Sequence, residues 1–185
     1  MAISRLFIAN RGEIAVRIIR AAKALGITTI QGYSEGDVDM LAVKMADQSI
    51  CLGPASSKDS YLNISAIIAA VKETKADAVH PGYGFLSENA EFARGIEEAG
   101  VLFVGPSAAT IERMGDKVMA RQAAEAAGVP VVPGSKGRIE TVDEAATIAA
   151  RVGYPVMVKA AAGGGGRGIR VADTEEELRK LAPQA

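Results

Sequence analysis

Short apolar strand patterns alternate with helical patterns over more than half of the chain, and this alternation constrains the fold more than any other feature. The strand patterns cover residues 6–9, 27–30, 49–52, 76–80 and 101–104, and the helical patterns cover residues 12–25, 39–46, 63–75 and 88–99. Gly26 and Gly100 mark two of the helix ends. Strands in such an order pair in parallel through right-handed crossovers. Residues 1–114 are therefore predicted to form a Rossmann-like, doubly wound parallel sheet of the α/β class.

A second, smaller pattern follows the first. Turn residues at 128–130 and 133–134 predict a boundary, and the helical pattern over 115–127 leads us to interpret residues 115–133 as a linker helix. Residues 134–185 have a helix pattern at 142–152, strand patterns at 155–160 and 169–172, and a final helix starting near Thr174. Thr174 and Glu177 match a capping box. That helix has barely two turns before Ala185, so we expect an incomplete domain.

The charge balance and composition exclude several classes of function. Lys and Arg number 21 against 22 Asp and Glu, for a net charge of −1, so no basic excess indicates nucleic acid. Arg5 and Arg11 interrupt the apolar start, which argues against a signal peptide, and no run approaches the ~18 apolar residues of a membrane helix. The single cysteine, Cys51, excludes an internal disulfide framework and favours a reduced cytoplasm or organelle matrix. We interpret Cys51 as a buried strand residue.

The glycine-rich segment 163–168 formally contains G-x-G-x-x-G. A dinucleotide site needs a helix after the glycines, whereas a strand pattern follows at 169–171. The loop is therefore predicted to join two antiparallel strands as a mobile flap. Lys159 before the loop and Arg167 inside it suit a polyphosphate, and a plain flexible hairpin with solvated charges is the alternative. The chain contains no G-x-x-x-x-G-K-[ST], so a P-loop is excluded.

Residues 80–89 lie between a strand pattern and a helix pattern. This position is the carboxyl end of the predicted parallel sheet, where open α/β folds bind ligands. Ser87 and Glu88 are interpreted as favouring the start of the next helix. His80 is interpreted as a structural histidine, and with one histidine and one cysteine a metal site of the His/Cys type is not expected.

From Phe7 to Val171 the chain resembles biotin carboxylase, an enzyme of the ATP-grasp superfamily. The most specific segment is HPGYGFLSEN at residues 80–89. The other matching segments are residues 8–15, 61–63, 104–106, 114–117, 128–130, 153–155 and 159–170. The resemblance implies a Rossmann-like first domain followed by the first part of an ATP-grasp domain.

The resemblance also implies an activity: ATP- and bicarbonate-dependent carboxylation of biotin on a carrier protein. By family pattern, Lys117 and Lys159 match lysines that contact the nucleotide phosphates, and Gly164, Gly165 and Gly166 match the lid over ATP. Tyr83 matches a position near the biotin site. Mg²⁺ or Mn²⁺ is the expected metal. The expected partners are a biotin carboxyl carrier protein or domain, a carboxyltransferase, and a second copy that pairs partly through the first long helix, with Arg20 as a contact.

The family's catalytic domain is more than twice as long as this chain. The acidic metal ligands and the catalytic basic residues of the family have no counterpart here, so we expect no catalytic residue within the chain and no activity from it alone. One alternative is a non-catalytic fragment that binds nucleotide or pairs with a complete subunit. Another is an ATP-grasp ligase for purine intermediates or carbamoyl transfer, which shares the flap lysine but not HPGYGFLSEN.

Overall fold

The structure is a computed structural model, and it describes residues 2–159 and 169–184. The chain forms two compact units, Met1–Gly115 and Asp116–Ala185. Each unit has its own helices and strands. Within the described residues, three short 3₁₀ turns supplement them at Glu35–Asp37, Ser57–Asp59 and Ala182–Gln184.

The first unit is built around a parallel sheet of five strands in the order β3-β2-β1-β4-β5. The strands are β1 (Arg5–Ile8), β2 (Thr28–Ser34), β3 (Gln48–Gly53), β4 (Ala78–His80) and β5 (Leu102–Phe103). The helices are α1 (Gly12–Ala24), α2 (Leu41–Met45), α3 (Ile64–Glu73), α4 (Ala90–Glu98) and α5 (Ala108–Gly115). The parallel α/β architecture predicted from the alternation is confirmed.

An apolar layer covers each face of this sheet. Successive residues of β1 point to opposite faces, so Phe7 packs with α3, α4 and α5, whereas Leu6 and Ile8 pack with α1 and α2. Helix α1 meets the sheet through residues spaced three and four apart: Ala15, Ile18, Ile19 and Ala22. Helices on both faces make the sheet doubly wound, as expected.

Two sequence interpretations in this region were wrong. Helix α5 was missed, because no element was predicted between residues 106 and 115; the helix expected at 115–127 is present as Lys117–Ala126. The Asp116 carboxylate accepts the backbone N–H groups of Val118 and Met119, each at 2.8 Å, and so starts a new helix. Cys51 is exposed rather than buried, because it belongs to neither apolar cluster, whereas its neighbour Leu52 points to the opposite face of β3 and is buried.

The second unit contains α6 (Lys117–Ala126), α7 (Val142–Val152), β6 (Val156–Lys159), β7 (Ile169–Ala172) and α8 (Glu175–Leu181). Strands β6 and β7 pair antiparallel, from Val156 opposite Ala172 to Lys159 opposite Ile169. A small cluster of buried residues holds α7 and α8 on this hairpin: Ala145, Ala146, Ala149, Ala172 and Leu178. Helix α6 belongs to the second compact unit. The predicted domain boundaries at residues 114 and 133 stay a prediction.

Thr174 caps the last helix as expected, but only half of the predicted capping box forms, because Glu177 bonds the residue before the cap and not Thr174 itself. Thr174 Oγ1 accepts the Glu177 N–H at 3.2 Å, and the Glu177 carboxylate accepts the Asp173 N–H at 2.8 Å. Within the two described segments, no helix combines the length and the apolar character needed to cross a membrane.

Candidate functional site

The centre of the first unit's sheet is a topological switch point. From β1 the chain moves to β2 on one side, and it later returns to place β4 on the other side of β1. The loops that follow β1 and β4 meet at the carboxyl edge of the sheet at this point, which is where open α/β sheets bind ligands. The loop after β4, residues 81–89, is called the switch-point loop below.

Asn10, which follows β1, holds the switch-point loop. Its Nδ2 donates to the carbonyl oxygen of Pro81 at 2.6 Å and to that of Tyr83 at 2.8 Å. Its Oδ1 accepts the N–H of Arg11 at 2.8 Å. Asn10 is only 3% exposed, so these hydrogen bonds are shielded from water. One buried amide thus fixes the backbone on both sides of Gly82.

His80, the last residue of β4, supports the same loop. Its Nδ1 accepts the N–H of Gly82 at 3.0 Å. Burial lowers the pKa of His80, which favours the neutral ring. A nitrogen that accepts a hydrogen bond carries no proton, so the ring proton lies on Nε2. This geometry supports the interpretation of His80 as a structural histidine.

The backbone of the switch-point loop is unusual at three residues. Gly82, Gly84 and Phe85 have positive φ angles of 65°, 66° and 41°. This conformation is rare for a residue with a bulky side chain and persists only where its surroundings enforce it. The Phe85 ring stacks on the Tyr61 ring, with centroids 5.1 Å apart. That stacking therefore anchors the strained residue.

A charged cluster lies under Phe85, made of Arg11, Ser34, Asp37 and Tyr61. Asp37 Oδ2 accepts the Tyr61 hydroxyl at 2.7 Å, the Ser34 hydroxyl at 3.0 Å and Arg11 Nη1 at 3.3 Å. Burial raises the pKa of Asp37, but the hydrogen bonds from Tyr61, Ser34 and Arg11 outweigh burial and hold its pKa below the usual value. This group is called the Asp37 cluster below.

Two further effects stabilise the Asp37 cluster. The Arg11 guanidinium lies over the Tyr61 ring at 5.5 Å and the Phe85 ring at 5.7 Å, within the range of a cation–π contact. Burial, together with the hydrogen bond to Asp37, raises the pKa of Tyr61 to about 12, so its hydroxyl stays a donor. The cluster thereby ties the ends of β1 and β2 to the switch-point loop.

Tyr83 is the residue of this loop that faces solvent, with 58% of its surface exposed. Its hydroxyl donates to the Glu13 carboxylate in the first turn of α1. That hydrogen bond raises the pKa of the Tyr83 phenol. The side chain is accessible to a ligand although its backbone is fixed by Asn10.

The helix start expected at Ser87 lies two residues later. Asn89 is the N-cap of α4, and its Oδ1 accepts the N–H of Phe92 at 2.8 Å. Ser87 instead donates its backbone N–H to the Gly84 carbonyl oxygen at 2.9 Å, within the turn of the loop. The capping interpretation of Ser87 was therefore wrong.

The sequence-predicted phosphate ligands lie in the second unit. Lys117 is the exposed first residue of α6, directly after the Asp116 cap. Lys159 is the exposed last residue of β6, at the point where the chain leaves the hairpin. Gly164, Gly165, Gly166 and Arg167 lie outside the described residues. Within the described ranges, no group of three His, Cys, Asp or Glu side chains is placed to hold a metal ion.

Sequence reasoning missed two of the groups that shape the site. Asn10 was quoted only as part of a motif, although an Asn directly after a strand at a switch point could have indicated a role. The Asp37 cluster was missed entirely, because its members are separated in sequence by up to 50 residues. The parallel pairing of β1 with β2 and of β2 with β3 brings the segments after these strands together.

Comparison with protein families and with curated relatives covers both units. The biotin carboxylase N-terminal domain family matches residues 2–111, and the family described as carbamoyl-phosphate synthase L chain, ATP binding domain, matches residues 116–185. Biotin carboxylase 1 of Bacillus subtilis is 61% identical over 176 residues, which is 95% of this chain and 39% of that protein. Biotin carboxylase of Pseudomonas aeruginosa is 55% identical over 181 residues, 97% of this chain and 40% of that protein.

Solved structures show the same likeness. The complex of Campylobacter jejuni biotin carboxylase with β,γ-ATP superposes with a TM-score of 0.90 at 50% identity, over 97% of this chain and 40% of that one. The biotin carboxylase domain dimer of Hydrogenobacter thermophilus 2-oxoglutarate carboxylase, solved with MgADP, ADP and bicarbonate, gives 0.86 at 48% identity, over 97% and 40%. The chain thus spans about 40% of the length of these relatives. It belongs to the biotin carboxylase family, and its first unit is the N-terminal domain of that family.

Proposed function

We propose that this chain forms the N-terminal part of a biotin carboxylase that uses ATP and bicarbonate to carboxylate biotin on a carrier protein. One observation carries the proposal: both units match biotin carboxylases in order over nearly the whole chain, and two of those relatives were solved with nucleotides, one of them also with bicarbonate. Relatives at this level of identity include biotin carboxylases and propionyl-CoA carboxylase alpha chains. The final acceptor of the carboxyl group is decided elsewhere.

In this proposal the second unit binds the phosphates of ATP. Lys159 stands at the end of β6 where the hairpin leads into the glycine segment, and Lys117 stands at the start of α6. Two lysines at the ends of secondary-structure elements supply fixed positive charge, and Gly164, Gly165 and Gly166 would bring backbone N–H groups close to the nucleotide. Mg²⁺ or Mn²⁺ would neutralise the phosphates while bound to them and to residues outside this chain.

In the same proposal the first unit contributes to the biotin site. The exposed ring of Tyr83 projects from the switch-point loop, and the Asp37 cluster and Asn10 keep that loop rigid. A rigid apolar ring with a polar end suits a small bicyclic ligand such as biotin. The residues of this chain would therefore position substrates, and the catalytic residues would lie outside it.

A second copy of the subunit is the proposed partner at helix α1. A groove of about 560 Å³ runs between α1 and the start of α2, lined by apolar Val16, Met40 and Leu41 and by the exposed cations Arg17 and Arg20. Apolar surface with arginines at its edge is typical of protein interfaces. The carrier protein, the carboxyltransferase and a cytoplasmic location also stay predictions.

A second candidate function is a fragment that binds nucleotide or pairs with a complete subunit without catalysis. The coverage of about 40% of each relative favours it for the 185 residues taken alone. The two candidate functions are distinguished by a chimera in which residues 1–185 replace the matching part of the Pseudomonas aeruginosa enzyme. The enzymatic proposal requires this chimera to carboxylate biotin.

The roles of the lysines are tested in the same chimera. Lys117→Ala and Lys159→Ala should each raise KM for ATP about ten- to a hundredfold, because a hydrogen bond between charged groups contributes roughly 1.5–3 kcal/mol. Lys136→Ala, an exposed lysine of the same unit, is the matched control and should leave KM for ATP unchanged. Equal effects of all three substitutions would contradict the assignment.

A further inference from the structure

We propose that Asn10 is a positioning residue for the ligand that contacts Tyr83: its amide fixes the backbone around Gly82 and thereby sets where the Tyr83 ring lies. The identity of that ligand as biotin rests on the proposed function, whereas the positioning itself does not. Asn10 is not placed among the groups that touch substrate, since it is buried beneath the loop.

The first argument is the pair of hydrogen bonds that Asn10 makes. Nδ2 has two protons, and it uses them on the two carbonyl oxygens that flank Gly82, at 2.6 Å to Pro81 and 2.8 Å to Tyr83. A single bond would leave the loop free to pivot about it. Two bonds from one planar group define the orientation of the intervening peptide units, and Tyr83 follows directly.

The second argument is that the Asn10 amide has only one workable orientation. Its Oδ1 accepts the N–H of Arg11 at 2.8 Å, so Nδ2 must face the loop. The backbone of Asn10 is held in turn, because Gln31 Nε2 donates to its carbonyl oxygen at 2.7 Å. Asn10 is thus held by strand β2 on one side and bonds the switch-point loop on the other.

The third argument is steric. A Cβ added to Gly82 would lie 2.8 Å from Asn10 Nδ2, closer than non-bonded atoms approach. Gly84 has nearly the same φ, 66° against 65°, but a Cβ there would meet nothing within 4 Å. The close approach of backbone to side chain is therefore specific to Gly82 and to its contact with Asn10.

The fourth argument is that both ends of Tyr83 are tied to one short segment. Asn10 holds the backbone of Tyr83, and Glu13, three residues later, accepts the hydrogen bond of its hydroxyl. Loss of the Asn10 contact moves the backbone relative to Glu13, so the hydroxyl can no longer reach the carboxylate in the same geometry. The pKa of the Tyr83 phenol consequently shows whether the hydrogen bond from Asn10 is intact.

The test measures the titration of each phenol by NMR in the 185-residue chain with ¹³Cζ-labelled tyrosine. The charged groups that influence the Tyr83 phenol are Glu13 and Arg17. In Asn10→Ala the pKa of Tyr83 should fall toward that of a free tyrosine, as it should in Glu13→Gln. The signal of Tyr61, whose pKa is about 12, should stay unchanged and so show that the unit is folded.

If Asn10→Ala does not fold, a pair of glycine variants tests the proposal instead. Gly82→Ala and Gly84→Ala introduce similar backbone strain, and only Gly82→Ala displaces Asn10, so only Gly82→Ala should lower the pKa of Tyr83. The proposal is overturned if Tyr83 titrates as in the wild type in Asn10→Ala, or identically in the two glycine variants.

The link to biotin is measured separately in the chimera. Asn10→Ala should raise KM for biotin at least roughly tenfold more than KM for ATP, because a misplacement of about 1 Å can cost up to about a hundredfold. Equal changes in both constants would indicate a general structural role and overturn the proposal. A chimera with the wild-type Asn10 that makes no carboxybiotin would contradict the proposed function, while the phenol titrations would still decide the role of Asn10.

Discussion

Replacing Tyr61 with Phe removes one hydroxyl from the Asp37 cluster and leaves the aromatic ring in place. The ring can still stack on Phe85, since the hydroxyl takes no part in that contact. Two hydrogen bonds are lost: the one donated to Asp37 at 2.7 Å and the one accepted from the Ser34 N–H at 3.1 Å. Both lie in the buried interior, where water cannot replace them.

The magnitude follows from these two losses. A hydrogen bond to a charged group contributes roughly 1.5–3 kcal/mol, and a buried N–H left without an acceptor costs about 1–3 kcal/mol. Since Asp37 keeps Ser34 and Arg11 as donors, we expect Tyr61→Phe to lower the free energy of unfolding by about 2–4 kcal/mol near neutral pH. Tyr33→Phe is the matched control on β2, and it should change stability by less than about 0.5 kcal/mol.

The pH dependence supplies a second criterion. The pKa of Asp37 is lowered in the folded chain, so its stabilising contribution is present above the ordinary carboxyl pKa and is lost as pH falls through the folded value. The difference between wild type and Tyr61→Phe should therefore shrink on acidification. Urea unfolding followed by circular dichroism at several pH values measures this. If Tyr61→Phe costs no more than Tyr33→Phe, the phenol does not stabilise Asp37.

Three further predictions concern stability. The backbone hydrogen bond from Thr29 lowers the pKa of Asp47 to about 2. Asp47→Asn should therefore reduce the free energy of unfolding at pH 7 by roughly 1 kcal/mol, a value that allows for solvent screening. In urea titrations this loss should vanish as the pH falls from about 4 to about 2. Asn63 caps α3 by accepting a backbone N–H at 3.0 Å, so Asn63→Ala should cost about 1 kcal/mol by thermal unfolding, and Asn63→Asp should not. Amides after residue 133 should exchange faster than those of the first unit, because their apolar cluster is smaller, and uniformly slow exchange would contradict this.

The sequence predicted the architecture of the first unit because its signals are local. Alternating apolar runs and glycines such as Gly26 and Gly100 mark elements without knowledge of their neighbours. The helix Ala108–Gly115 was missed, and only the Asp116 carboxylate bonded to two backbone N–H groups shows that the next helix starts directly after it. The exposure of Cys51 depends on which face of β3 the helices cover, which no local pattern reveals.

The location of the candidate site was predictable, but its internal contacts were not. Residues 80–89 follow a strand of a parallel sheet, and general rules place ligand sites there. The hydrogen bonds from Asn10 to Pro81 and Tyr83 join positions about 70 residues apart, and they exist only because β1 and β4 are neighbours in register. The hydrogen-bond donors to Asp37 likewise come from three separate segments.

The formation of carboxybiotin by the chimera tests the central claim most directly. The chimera of residues 1–185 with the remainder of the Pseudomonas aeruginosa enzyme is supplied with Mg-ATP, labelled bicarbonate and biotin, and label in carboxybiotin is measured beside the unmodified enzyme. The account predicts ATP-dependent label in the chimera and none from the 185-residue chain alone. A folded chimera that binds ATP but transfers no label to biotin would contradict it.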